Sequence, residues 1–455
     1  MNAKFINLEQ TQKRLSDLGQ QFVVIQNPSY LFPEYEVVPL SAISALPMDQ
    51  LLAVVMDMDG TTTSTELLCL HSQEYMIRRV SGCETPDEWP GLDRQRDYPH
   101  IIGNSTTRHI EYLIQTYQEM IRQENMKQAF FQAVLWTAAY NGDPNRRKEM
   151  TGNVINLVGR EMVQDSQWPR EKTKIDPSDL TLLVEYFITN YGAAFQADTV
   201  SAQVRAGIEV YYQRYHSILE EFLAGKGDEL ARDLLGNAET RLIAPMPGIA
   251  IFLALVRGLL GEECVRLAPL LLELLERSMP MTARSISLDQ AKNVLQQLNR
   301  RFSHAPLKTA VVTSSIHHEA HIVLSELFRV IGHEIENWPV SDSNKTRLLE
   351  AFHDYTGFYD TVITASDSSE IRLKPHRDLY SLALHQLGIP PKDFGKVVGF
   401  EDSESGTIAI RTAGIGVCVA VPFSETAHHD FKAATHTLHG GIPETLLVHH
   451  LFVKL

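Results

Sequence analysis

The chain is poor in cysteine: it holds four in 455 residues, Cys69, Cys83, Cys264 and Cys418, and no two form a CxxC pair. That spacing argues against a zinc site or a disulfide framework and leaves the four as reduced, small hydrophobes. Long apolar runs are missing as well. No stretch approaches the roughly 20 apolar residues of a membrane-crossing helix, and the opening MNAKFINLEQTQKRL lacks the apolar centre of a secretory leader. The expectation is a cytoplasmic protein with no membrane partner. A basic excess is also absent, with 41 Lys and Arg against 56 Asp and Glu and a net charge of −15. Phosphate backbones are bound by clustered cations, so no nucleic-acid partner is expected. Any phosphorylated substrate must then be neutralised locally, by a metal or a lysine. The pairs His317/His318, His428/His429 and His449/His450 are read as surface histidines, because neighbours on a helix or strand point apart.

What remains is ordinary globular composition, 44% hydrophobic and 21% charged, on a chain long enough for two or three domains. Its organising stretch is LLAVVMDMDGTTTSTE, Leu51 to Glu66. Six apolar residues, Leu51 to Met56, have the continuity of a strand buried on both faces, and they stop at Asp57. Asp59 follows, then Gly60, which permits a turn that a Cβ would resist. Two carboxylates this close repel one another and must stay hydrated or bind a cation; a divalent metal is the simplest answer. One acid can then attack an electrophile while the other protonates the leaving group. Asp-Gly is equally ordinary turn chemistry, so the string alone decides nothing.

Residues 1–50 read as an N-terminal extension, a polar helix near Leu8 to Leu18 followed by edge strands FVVI and YEVV. After Glu66 the pattern turns helical. Arg108 to Gln123, Met126 to Tyr140, Leu180 to Tyr191 and Val204 to Leu223 repeat apolar residues at three- and four-residue spacing. This predicts a helical domain over 66–243, closed by Pro245-Met246-Pro247-Gly248 before a helix Ile249 to Leu260. A second helical insert covers about 262–305. From Leu307 the strands LKTAVV, TVITAS, KVVGF and GVCVAV alternate with helical segments, which predicts a parallel sheet with covering helices. The fold class is α/β: a Rossmann-like parallel core, 51–65 and 244–455, with a large inserted α-helical cap.

Ligands of such sheets gather at the carboxyl ends of the strands. Those ends carry Asp57 and Asp59, then Thr313, Ser314 and Ser315, then Glu401 and Asp402, with Lys374 on a loop before a helix Asp378 to Leu387. Carboxylate oxygens make a hard environment suited to Mg²⁺, the hydroxyls and amides can cradle phosphate oxygens, and the lysine adds positive charge. Phosphoryl transfer through a phosphoaspartate needs little else.

These four segments, DMDGT, VVTSS, LKPHRDLY and GFEDSESGTIAIRTAGIGVCVAVP, resemble in order the four motifs of the haloacid dehalogenase superfamily, in its β-phosphoglucomutase and phosphoglycolate phosphatase branch. The resemblance implies that Asp57 attacks phosphorus, that Asp59 acts as acid and then base, and that Thr313 and Lys374 hold the phosphate. It also implies Mg²⁺ on Asp57, the Asp59 carbonyl, Asp402 and Glu401. One position departs: Arg377 stands where relatives usually carry proline, and it is read as a surface residue at a helix start. Asp59 itself sets aside dehalogenases and phosphonatases, which lack a carboxylate there, and P-type pumps, which carry threonine.

The helical insert falls where the superfamily places its cap, and YPHIIGNSTTRHIEYLI resembles the cap's specificity loop. Gly103, Asn104, Ser105, Thr106, Thr107 and Arg108, with Ser314 on the core, are thus candidates to face substrate; Asn104-Ser105-Thr106 also reads as a helix cap. The expected activity is hydrolysis of a small phosphorylated metabolite. The alternatives are a phosphomutase, and a binding protein with a vestigial site. The extra helices would build an oligomer interface, close the site or recognise a larger partner; oligomeric state stays open.

Overall fold

The computed structural model describes residues 5–27, 32–43, 50–102, 106–170, 175–236, 240–367, 372–449 and 451–452. The chain divides into two compact units, one made of Met1–Ser64 and Ile243–Leu455, the other of Thr65–Leu242.

The first unit is built on a six-stranded, wholly parallel sheet. Its strands lie in the order His436–Thr437, Val417–Ala420, Val397–Glu401, Ala53–Asp57, Lys308–Val312, Thr361–Ile363. Ala53–Asp57 is central because all five of its residues are buried, as a strand covered on both faces requires. The strand is shorter than the apolar run predicts: Leu52 lies before it and is 40% exposed. From Ala53–Asp57 the chain builds one side of the sheet with Lys308–Val312 and Thr361–Ile363 and then crosses to the other side with Val397–Glu401, so a topological switch point falls between Ala53–Asp57 and Val397–Glu401, where α/β sheets open a crevice. Register sets what lines it. Met56 pairs with Phe400 and Asp57 with Val312, so Glu401 and Thr313 emerge level with the Asp57 tip.

One face of the sheet is covered by the helix Ile249–Val256, buried along its whole length. Phe252 packs against Phe400 with ring centroids 5.3 Å apart. The segment 262–305 forms a 3-10 turn and the helices Ala268–Ser278, Pro280–Ser285 and Leu288–His304. The last begins with a capping box between Ser287 and Gln290. Its apolar face, with Phe302 against Phe452 at 5.6 Å, belongs to the same core. This insert is thus part of the sheet unit's packing.

The N-terminal segment departs from expectation. Leu8–Leu18 is a helix, but Phe22–Gln26 and Tyr35–Pro39 pair with each other as a separate antiparallel hairpin and join no edge of the main sheet. Period-two patterning marks a strand but not its partner. The segment is tied to the sheet unit by Arg411, a fully buried guanidinium that donates to the Ser41 hydroxyl at 3.1 Å, to the Ser41 carbonyl and to the Ala433 carbonyl at 2.8 Å.

The second unit is all helix among its described residues. Glu66–Ser81, Thr106–Thr116, Gln123–Tyr140, Pro144–Leu157, Pro177–Tyr191 and Val200–Leu223 are its main members. They bury Met76, Ile110, Leu113, Phe130, Phe131, Val134 and Leu219. The helix expected through Gln123 stops at Thr116, because the Arg122 amide turns away to the Val80 carbonyl at 3.0 Å; this tertiary bond overrides the local periodicity. Inside the unit Arg146 pairs with Glu209, both fully buried, and Asn153 donates to the same carboxylate at 2.6 Å. No helix among the described residues is long and apolar enough to cross a membrane.

Candidate active site

The site is assembled at the carboxyl ends of the central strands. Asp57 ends its strand 6% exposed, and three threonines close the loop behind it. The Thr62 hydroxyl donates to the Asp57 carbonyl at 2.5 Å and that of Thr63 to the Met58 carbonyl at 3.1 Å, while Thr61 donates to the Asp402 carboxylate at 3.2 Å. Gly60 sits at φ +79°, and a Cβ there would stand 2.7 Å from the Asp402 carboxyl. A side chain would both strain the turn and press on a candidate ligand.

Lys374 crosses from its loop into this cluster. Its ammonium donates to the Asp57 carboxylate, to Glu401 at 2.7 Å and to the Val312 carbonyl at 3.5 Å, and lies 5.3 Å from the Tyr380 ring centroid. Glu401 is fully buried and further held by the Tyr380 hydroxyl at 2.9 Å and the Ser403 hydroxyl at 3.0 Å. Ligand oxygens of Asp57, Glu401 and Asp402 all lie within 4.8 Å of one another. Asp59 is set to the side, where it accepts long bonds from the Thr313 and Ser315 hydroxyls, at 3.4 and 3.5 Å.

The electrostatics show carboxylates crowded together out of water. Burial, then the Glu401 carboxylate, pushes Asp57 well above the ordinary carboxylate range, against the pull of Lys374. Burial alone would lower Lys374, yet Asp57 and Glu401 hold its ammonium above the usual lysine range. Asp57 and Glu401, both buried, share the Lys374 ammonium with the buried Asp402 carboxylate beside them, an arrangement whose desolvation cost a divalent ion would offset. The donor set is all oxygen and hard, which fits Mg²⁺ and does not suit soft thiophilic metals.

Thus the structure brings Asp57, Lys374, Glu401 and Asp402 together, with Asp59 and Thr313 alongside. Ser314 is exposed, whereas Ser315 reaches Asp59. Arg377 is exposed and precedes the helix Asp378–Gln386, as a helix-start surface residue does. Thr106 and Arg108 belong to the helical unit, Thr106 half-buried at the start of Thr106–Thr116 and Arg108 exposed on it. Gly103, Asn104 and Ser105 lie outside the described residues.

Sequence reasoning missed Tyr380, Ser403 and Gly406. Ser403 carries a readable signal, since a serine before a helix that starts at Glu404 is an N-cap, here accepting from the Gly406 amide at 3.1 Å. Gly406 carries none, because its contribution is an absent side chain. A Cβ there would stand 1.8 Å from the Glu401 carboxyl carbon. Gly406→Ala should therefore displace Glu401 and weaken metal affinity by about 10- to 100-fold, as loss of a ligand's support does. Mg²⁺ titration followed by calorimetry checks this; unchanged affinity would remove Glu401 from the metal set.

No family model matches the chain. Over 77 residues it is 38% identical to Protein CbbY of Cereibacter sphaeroides, a match covering 17% of this chain and 31% of that relative. The chain thus spans about a third of the curated relative's length. Among solved structures it is similar to CbbY from Rhodobacter sphaeroides in complex with phosphate, at 15% identity and TM-score 0.39 over 89% of this chain and 100% of that one. It is also similar to a β-phosphoglucomutase-like protein from Thermotoga maritima, at 15% identity and TM-score 0.32 over 87% and 96%. At these scores the structural likenesses add nothing to the chemistry read from the site.

Proposed function

We propose that the chain is a magnesium-dependent phosphomonoester hydrolase of the haloacid dehalogenase kind, acting through an aspartyl-phosphate on a small phosphorylated metabolite such as a sugar phosphate. The observation that carries this reading is the buried cluster at the switch point, in which one lysine bridges Asp57 and Glu401 with Asp402 beside them. The cluster gathers three carboxylates within 4.8 Å of one another at a strand tip, where α/β sheets bind ligands.

In the first half-reaction an Asp57 carboxylate oxygen attacks phosphorus, the ester P–O bond breaks, and Asp59 gives its proton to the departing oxygen. In the second, Asp59 takes a proton from water, the water oxygen attacks phosphorus, and the acyl-phosphate bond breaks to free inorganic phosphate and Asp57. Lys374 and the Thr313 hydroxyl steady the phosphoryl oxygens. Mg²⁺ held by Asp57, the Asp59 carbonyl, Glu401 and Asp402 would neutralise charge on phosphate and nucleophile alike. In the same reading Gly103, Asn104, Ser105, Thr106 and Arg108 select the substrate from a cap spanning 66–243.

The test is a screen of phosphorylated metabolites with Mg²⁺ present or chelated. Free phosphate released only with Mg²⁺ supports hydrolysis. Isomerised sugar phosphate without release reassigns the chain to phosphomutases, and inertness toward the whole set leaves the vestigial-site reading. Metal binding has its own measure. At about a hundred times its dissociation constant, Mg²⁺ should stabilise the fold by about 2.7 kcal/mol, seen as a higher urea midpoint. Asp402→Ala should erase most of that gain, and a midpoint indifferent to Mg²⁺ would refute the site.

A further inference from the structure

The helical unit contains a second charged feature that the proposed chemistry does not use. Arg214, on Val200–Leu223, is half-buried, and both its Nε–H and its Nη2–H donate to Nε2 of His71 on Glu66–Ser81, at 3.3 and 3.0 Å. Its guanidinium carbon lies 5.3 Å from the Tyr75 ring centroid, one helical turn beyond His71.

A guanidinium only donates, so His71 must accept at Nε2 and carry its proton on Nδ1 as a neutral imidazole. Burial, then the nearby Arg214 charge, holds His71 down at about 4, in keeping with that state. Among the described residues Arg214 has no carboxylate within ion-pairing distance. Glu221, whose charge it feels, is itself engaged by Lys226 at 2.9 Å. Arg146, Arg96 and Arg79 of this unit end on acids, Glu209, Asp97 and Glu84, while Arg78 and Arg147 end on backbone carbonyls; among the described residues Arg214 meets neither.

The arrangement orients a cation without neutralising it. Stacking on Tyr75 and the two bonds to His71 fix the guanidinium plane. The remaining N–H groups, including both on Nη1, have no partner among the described residues. In a protein of net charge −15 a half-buried guanidinium that meets neither acid nor carbonyl among the described residues is a local positive centre open to an anion. The geometry points to a binding site for an anionic oxygen group, the phosphate or carboxylate of a small metabolite, made by Arg214 with His71 and Tyr75 as its positioning residues. This site is built wholly from residues of the helical unit, and its argument does not depend on the hydrolase reading.

Arginine-selective ¹⁵N NMR of the full chain in chelator tests it, with the Arg214 Nε–H signal assigned by its loss in Arg214→Gln. Inorganic phosphate or acetate should move that signal along a saturating curve, while chloride at equal ionic strength should not. Movement with phosphate alone or acetate alone names the source of the charge. Arg214→Lys, which keeps the charge but loses the fork, should weaken binding about tenfold and serves if the glutamine variant does not fold. A signal unmoved by either anion, or moved equally by chloride, overturns the proposal. Because no catalytic step is measured, failure to find a phosphatase substrate leaves this result intact.

Discussion

Asp57→Asn should abolish phosphate release, by on the order of 10⁵-fold, and yet leave a protein that folds at least as well as the parent in chelator. The first effect follows from chemistry, since an amide cannot form the acyl phosphate and removing a nucleophile forfeits nearly the whole advantage of a concerted site. The second follows from electrostatics. Asp57 is buried beside Glu401, and its carboxyl is raised well above the usual range. A group raised in the folded state keeps a proton that the unfolded chain has already released. Its contribution to stability is therefore greatest below the ordinary aspartate range and declines as pH rises toward the folded value. The asparagine variant lacks that titration, so its metal-free urea midpoint should fall less steeply with pH than the parent's. Mg²⁺ competes with the same proton, and the parent's stabilisation by metal should grow as pH rises. Denaturation with and without Mg²⁺ at several pH values measures both slopes. Residual phosphate release near the parental rate would mean that another group attacks phosphorus. A variant that unfolds in chelator would mean that the Asp57 charge supports the fold.

The residues that were legible in the sequence are those whose type is itself the signal. A continuous apolar run ended by carboxylates is a buried strand with a charged tip, and Asp57 stands there. The alternating segments after Leu307 gave a parallel sheet because apolar runs without polar alternation must be covered on both faces. What was illegible depends on partners far away in sequence. Of the hydroxyls at 313–315, the chain bends at Ser314 and Ser315 and the Ser315 amide donates to the Thr313 hydroxyl at 3.0 Å, so Thr313 and Ser315 reach Asp59 while Ser314 is exposed. Composition cannot choose among three neighbouring hydroxyls; the bend does. FVVI and YEVV were readable as strands but not as each other's partners. Gly406 was invisible for the opposite reason, since the space it leaves is filled by Glu401 from another element.

Lys374→Met should be the most damaging change to the fold and, after loss of the nucleophile, to catalysis. Its side chain is 8% exposed and its ammonium is shared by Asp57 and Glu401, whose side chains are 8% and 1% exposed. Methionine nearly matches the volume, so packing is kept and the charge alone is removed. Two buried carboxylates are then left to face each other, and breaking a buried pair in this way costs about 3–5 kcal/mol. The site answers such a cost by protonation: Asp57, already raised, should rise further, so the variant's deficit should shrink in mild acid and widen toward neutral pH. Mg²⁺ supplies charge to the same oxygens and should recover part of the loss, which a cavity or a misfolded loop would not permit. Activity should fall by about a thousand-fold even at saturating metal, because the cation that offsets charge on the transferring phosphoryl group is gone. Urea midpoints across pH, with and without Mg²⁺, separate these contributions. A variant as stable as the parent at neutral pH would show that Lys374 is solvated apart from Asp57 and Glu401, and the charge assignment of the whole site would fall with it.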